Sequence, residues 1–240
     1  MEDRSIYRNI MESDDLLSFN VKEDESDLWI AADNLIDSKI ALKTLAFLRK
    51  QIKDYIKKNP AFLRSLSPIE TDQDVPSVIK SMLEASYRAD VGPMASVAGA
   101  IAEEVGRELL DYCSQIIVEN GGDLFISTLK PRRVGLYTKV EEFRNLVIKI
   151  DPEMSPLGVC SSSSVLGHSL SLGKVDLSLV IAENSYLADA AATSLGNKVK
   201  SIEDASGALQ SIHSIDGVYA ALIVVDGQLN VIGEIEFDSD

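Results

Sequence analysis

Two segments of this chain are stripped of side-chain bulk, and that limits its fold more than any other feature. "PMASVAGAIAEEVGRELLDYC" reads as a helix that takes Pro93 in its first turn and runs to Tyr112, with Ala95, Ala98, Gly99, Ala102 and Gly106 along one side. Two glycines inside a helix cost about 1 kcal/mol each relative to alanine, so another element must come close enough to this face to offset that. "SYLADAAATSLGN", Ser185 to Asn197, is the second such segment. Asp189 and Thr193 are four residues apart there and project from one helical face among methyl groups. That pattern fits a tight packing seam, or a site where something small sits against the backbone.

Strand patterns surround these helices. Leu17, Phe19 and Val21 alternate, as do Leu28 and Ile30, which predicts an antiparallel hairpin closing an N-terminal unit over residues 1–37. Ile40, Leu42, Leu45, Leu48, Ile52, Tyr55 and Ile56 then follow helical spacing up to Pro60. "NPAFLRSLSPIETDQDVP" reads as an irregular connector, and Val78 to Arg88 as a second helix. "QIIVENGGDLFIS" predicts strand, turn and strand about Asn120-Gly121-Gly122, and "VGLYTK" and "NLVIKI" are expected to continue the same sheet. A strand over Leu177 to Ala182, a short helix near Ile202 to Ile212 and a hairpin about Asp226-Gly227 close the chain, with Val224, Leu229 and Ile232 expected to face inward. The order implies an α+β fold, mixed or antiparallel sheets packed with helices in one compact body, a single domain over 1–240.

The formal net charge of −15 repels nucleic acid and anionic membrane surfaces, so neither is an expected partner. An anionic small molecule would bind through backbone N–H groups, a helix N-terminus or a metal ion. The two cysteines, Cys113 and Cys160, and two histidines, His168 and His213, lack zinc spacing, and both thiols are expected to be free and buried. The acidic N-terminus and the lack of a long apolar run predict a soluble, cytoplasmic protein, and a homo-oligomer stays open. P-loop, dinucleotide-fingerprint, nucleophile-elbow and H-E-x-x-H signatures are missing. A triad of the serine run, His168 and Asp176 rests on residue types too common to carry weight.

Four segments remain: "SVAGAIAEEVG", "VENGGDLFI", "CSSSSVLGHSLSLGKVD" and "LADAAATSLGN". In that order, over roughly residues 95–200, they resemble the ApbE superfamily of FAD:protein FMN transferases, and more closely an uncharacterised prokaryotic branch of it. The "G-A-I-A-K-G" motif is matched by Gly99 to Glu104, with Glu103 at its lysine position, the glycine turn by Gly121, Gly122 and Asp123, and "A-D-A-L-A-T-A" by Ala188 to Ser194. The "H-H-I-I-D-P" segment typical of the transferases is absent.

The resemblance implies a magnesium ion beside the pyrophosphate of FAD, with Asp189, Thr193 and the carbonyl of Ala102 as ligands. Magnesium favours such hard oxygen donors. It further implies that Gly121, Gly122, Asp123, Ser161, Ser162, Ser163 and His168 border the flavin or its phosphates. Glu103 would place a negative charge near that pyrophosphate. Two functions follow: a magnesium-dependent enzyme that hydrolyses FAD or transfers its FMN part, and a protein that binds a flavin or nucleotide without reaction. A structural protein whose alanine stripes are interfaces is the third reading. In that case Asp189 bonds within its own first turn and Thr193 packs in a seam, His168 is a core histidine, and the glycines serve a plain hairpin.

Overall fold

Leu28 and Ile30 alternate with Trp29 and Ala31 along one strand and all four are buried, so the sheet they enter is covered on both faces. The computed structural model describes residues 15–70, 74–138, 140–144, 146–162 and 175–238. The expected N-terminal hairpin is present as β1 (Leu17–Glu23) and β2 (Ser26–Ala32), and residues 1–14 of that expected unit lie outside the described residues. With β3 (Ile116–Asn120), β4 (Asp123–Ser127), β7 (Leu157–Ser162), β8 (Leu177–Ala182), β9 (Val218–Val225) and β10 (Gln228–Gly233) they form an eight-stranded antiparallel sheet in the order β1-β2-β3-β4-β7-β8-β9-β10.

The strands β5 (Arg132–Gly135) and β6 (Val147–Ile150) do not continue that sheet. They pair with β11 (Glu236–Asp238) in a separate three-stranded sheet, which lies over one face of the large one. Alternation along a strand is the same whichever sheet it joins, so the sequence pattern could not distinguish the two. Ile148, Ile150 and Val134 of the small sheet meet Ile117, Ile126, Val159, Leu179 and Leu222 of the large one. Arg132, 3% exposed, anchors this crossover through Thr128, Gln115 and Asp15, and its guanidinium holds the Asp15 carboxyl down at about 2.

The helices cover the other face. They are α1 (Ser38–Lys58), α2 (Pro60–Arg64), α3 (Ser77–Ala89), α4 (Val97–Leu109), α5 (Ser185–Lys198) and α6 (Ile202–His213), with a 3₁₀ turn at Pro93–Ser96 leading into α4. The connector expected to be irregular thus begins as a helix. Pro60 suits a first helical position, and Phe62 is fully buried edge-on to Tyr55. In the closing hairpin Val224 is buried, whereas Leu229 and Ile232 are half-buried against opposite cores, because they are three residues apart on a strand of period two. Cys160 is buried and free, but Cys113 is only half-buried. Among the described residues no helix is long and apolar enough to cross a membrane.

The α5 helix is buried almost all round, so its ends are set by polar contacts. Asn184 caps it by accepting the N–H of Leu187 at 2.8 Å. Replacing Asn184 with alanine is expected to cost about 1 kcal/mol, read in thermal denaturation as a fall in Tm of about 2–4 °C.

Candidate functional site: two buried acids at the start of a helix

The small residues of α4 and α5 bring the two helices into backbone contact. A Cβ added at Gly99 would lie 2.2 Å from the Ser185 carbonyl oxygen and 2.9 Å from the Asp189 Cβ, so only glycine permits this approach. Further along, a Cβ at Gly106 would lie 2.2 Å from the Phe125 ring, so that glycine serves packing on the sheet. The packing seam and the polar site are therefore one feature at Gly99, where the seam delivers the acid.

Asp189 does not bond within its own helix. Its Oδ2 accepts the N–H of Gly99 at 2.9 Å, in the first turn of α4, where a helix leaves N–H groups free and favours negative charge. Burial nonetheless pushes its carboxyl up to about 7. Thr193 stands one turn on along the same face, and each of the two keeps 8% of its surface exposed.

Asp123, at the start of β4, points to the helix-covered face of the sheet. Its Oδ1 accepts the Ser161 N–H at 3.3 Å, and burial, then the Asp189 charge, hold its carboxyl well above the usual carboxylate range. Asn120, paired across the hairpin with Asp123, donates from Nδ2 to the Ala98 carbonyl at 3.1 Å, one residue before the amide that Asp189 holds. The hairpin, α4 and α5 are thereby tied at one point. The Cys160 thiol lies in the same layer against the Ser185 carbonyl, pushed well up by burial and then by the charges of Asp123 and Asp189.

The other expected residues fall as follows. Gly121 and Gly122 both adopt positive φ, at +68° and +104°, and with no Cβ clash at Gly121 its place is set by backbone conformation alone. The Gly122 N–H is taken by the buried Glu119 carboxylate at 2.8 Å and is not open to a ligand. Ser161 donates from Oγ to the Gly122 carbonyl at 3.3 Å. Ser162 is 5% exposed, and its Oγ has no partner among the described residues. Ala102 is fully buried, one turn deeper in α4 than Ala98, which is the residue that meets Asn120. Ser163 and His168 lie outside the described residues.

The charge at Glu103 is present but engaged. Its carboxylate accepts the Ser185 N–H and pairs with Arg107 at 2.7 Å, so it caps α5. A cleft of about 440 Å³ opens on that side, between α3, α4 and the start of α5, with Arg88, Arg107, Glu103, Glu104 and Tyr186 in its wall. Arg88 and Arg107 are paired with Glu183 and Glu103, and the Tyr186 hydroxyl with Glu104, whereas among the described residues neither Asp123 nor Asp189 has an ion pair.

Sequence reasoning expected a close approach at Gly99 and a turn at Asn120, as found, but did not give either residue its role in positioning the acids. Both sat in quoted motifs, and their partners are 22 and 90 residues away along the chain.

An antiparallel sheet backed by two alanine-rich helices, one carrying an acid against the start of the other, defines an ApbE-like α+β protein. The family model described as "AbpE bacteria" matches residues 8–228, and the chain belongs to that family. It is 37% identical over 220 residues to a UPF0280 protein of Methanococcus maripaludis strain C6, the match covering 88% of each chain. It is 32% identical over 224 residues to a UPF0280 protein of Methanosarcina barkeri, covering 91% of this chain and 88% of that one. Among solved structures, the flavinyl transferase ApbE of Pseudomonas stutzeri superposes with a TM-score of 0.57 at 13% identity, covering 90% of this chain and 93% of that one. The ApbE protein of Thermotoga maritima superposes with a TM-score of 0.56 at 14% identity, covering 92% and 96%. At that identity the likeness is one of fold.

Proposed function

We propose that this protein binds a flavin nucleotide, FAD, in the cytoplasm through a magnesium ion held at Asp189 and Thr193, and that it hydrolyses FAD or transfers its FMN part. One observation carries the reading: Asp189 and Asp123 are buried at one junction, Asp189 on the Gly99 N–H and Asp123 paired with the Asn120 that holds the Ala98 carbonyl, and among the described residues no ion pair engages either of them. Two neighbouring buried carboxylates repel, and a hard dication relieves that repulsion. The donor set fits magnesium: the Asp189 carboxylate, the Thr193 hydroxyl and a carbonyl of α4, which the resemblance assigns to Ala102. Among the described residues no cluster of three or more His, Cys, Asp or Glu side chains exists, so hydroxyls, backbone and ligand oxygens would complete the shell.

When bound, magnesium neutralises charge developing at a pyrophosphate as its P–O–P bond breaks. The chain's own residues orient that event. Gly99, with the backbone of Ala98, holds the Asp189 carboxylate at the start of α4, and Asn120 fixes that first turn against the hairpin.

A binding protein without turnover is the second reading. It is favoured by Glu103 at the family's lysine position, because that side chain caps α5 and brings no positive charge to a phosphate. Incubation of the purified protein with FAD and magnesium separates the two. Release of AMP that is lost in Asp189→Ala supports the enzyme. Magnesium-dependent thermal stabilisation by FAD with no AMP released supports the binder, and a melting temperature indifferent to both flavins and magnesium removes both.

A further inference from the structure

We propose that Asp123 is a second carboxylate ligand of the cation at Asp189, with the Ser162 hydroxyl beside it, which rests on the reading above. The register of the sheet brings these groups together. Leu124 pairs with Val159 and Phe125 with Gly158, so the β4–β7 ladder runs on to set Asp123 beside Cys160. Side chains alternate along β7, and Cys160 faces the helices, so Ser162, two residues on, faces them too. The α5 helix lies over this row. Its Ser185 carbonyl meets Cys160, and its Ala192 carbonyl accepts from Ser178, the cross-strand partner of Ser162. Asp189 therefore lies between these two contacts on α5 and Thr193 next to the second, over the span from Cys160 to Ser162.

The remaining valences point the same way. Asp123 accepts the Ser161 N–H on one oxygen and lies in hydrogen-bond contact with the Cys160 thiol, with no ion pair among the described residues, and Ser162 is 5% exposed with an Oγ that bonds to nothing described. A buried hydroxyl without a partner loses about 1–3 kcal/mol, and two uncompensated carboxylates lose more, so the row is built for an oxygen-seeking cation. Two carboxylates balance a dication. A loaded site then carries no net charge, so FAD is expected to bind more tightly with the metal than without it.

The test is titration of Mn²⁺, and separately Mg²⁺, into the full chain at pH 8, followed by FAD with and without metal, using calorimetry and Mn²⁺ paramagnetic resonance. Asp123→Asn is expected to weaken Mn²⁺ binding at least about tenfold, and Ser162→Ala several-fold, because lost ligands cost at least as much as lost outer-shell partners. Asp123→Asn should melt no lower than the native chain without metal, since it removes one of two repelling charges, and this verifies folding. If both variants bind Mn²⁺ as the native chain does while Asp189→Asn binds none, the inference is overturned and the reading beneath it stands. If the native chain binds neither ion, alone or with FAD, both fall. FAD binding of equal strength with and without metal overturns the coupling.

Discussion

Asp189→Asn is expected to make the metal-free protein more stable near neutrality, although it alters the acid at the centre of the site. Burial raises the Asp189 carboxyl from the usual 3.8 to about 7. An acid whose folded-state pKa lies above its unfolded one contributes stability that is complete below the unfolded value and is lost as pH rises through the folded one. The window is therefore about pH 4 to about pH 7, and at about 1.36 kcal/mol per unit the loss across it is about 4 kcal/mol. Asparagine still presents an oxygen to the Gly99 N–H and does not ionise. Denaturant unfolding in the presence of a chelator should show native stability falling across that window more steeply than the variant's, in which the buried Asp123 still titrates. Parallel pH profiles would remove Asp189 as the titrating group. Magnesium at about pH 8 should restore the native chain and leave the variant unmoved.

Gly99→Ala is expected to cost about 2 kcal/mol or more and to abolish tight cation binding. A methyl group in an ordinary core position costs about 1–3 kcal/mol when overpacked. Here it would sit 2.2 Å from the Ser185 carbonyl oxygen, a backbone atom held by the Glu103 cap at the adjacent N–H and by the Ser185 hydroxyl on Leu124, so whole helices must part. Alanine's better helix propensity returns about 1 kcal/mol, too little to reverse the sign. Parting α4 from α5 also withdraws the Gly99 N–H from Asp189. The expected readings are a Tm lower by at least about 4 °C and Mn²⁺ binding weakened beyond that of Asp123→Asn. A variant that melts and binds like the native chain would show that the two helices are not locked at this point.

Elements whose signal is local were legible in the sequence. The strand Leu177–Ala182 and the helix from Ser185 came from apolar runs bounded by polar residues, and both stand at those positions. The N-terminal hairpin followed from alternation alone. What failed was non-local. Nothing in "VGLYTK" or "NLVIKI" says which sheet they join, and the helix at Pro60 depends on Phe62 finding Tyr55.

The candidate site divides in the same way. Spacing of four put Asp189 and Thr193 on one face, and the resemblance named Asp123 and the serine run as neighbours of a ligand. Sequence by itself thus determined that a small-residue helix pair exists and which side chains line it, because helical and strand periods are properties of the local backbone. Only the tertiary structure decided that Asp189 reaches across to Gly99, that Asn120 holds Ala98, and that Glu103 caps α5 beside Arg107. Those contacts join residues 22 to 90 positions apart, and the close approach that makes them possible is set by a missing Cβ, which has no meaning until two helices meet.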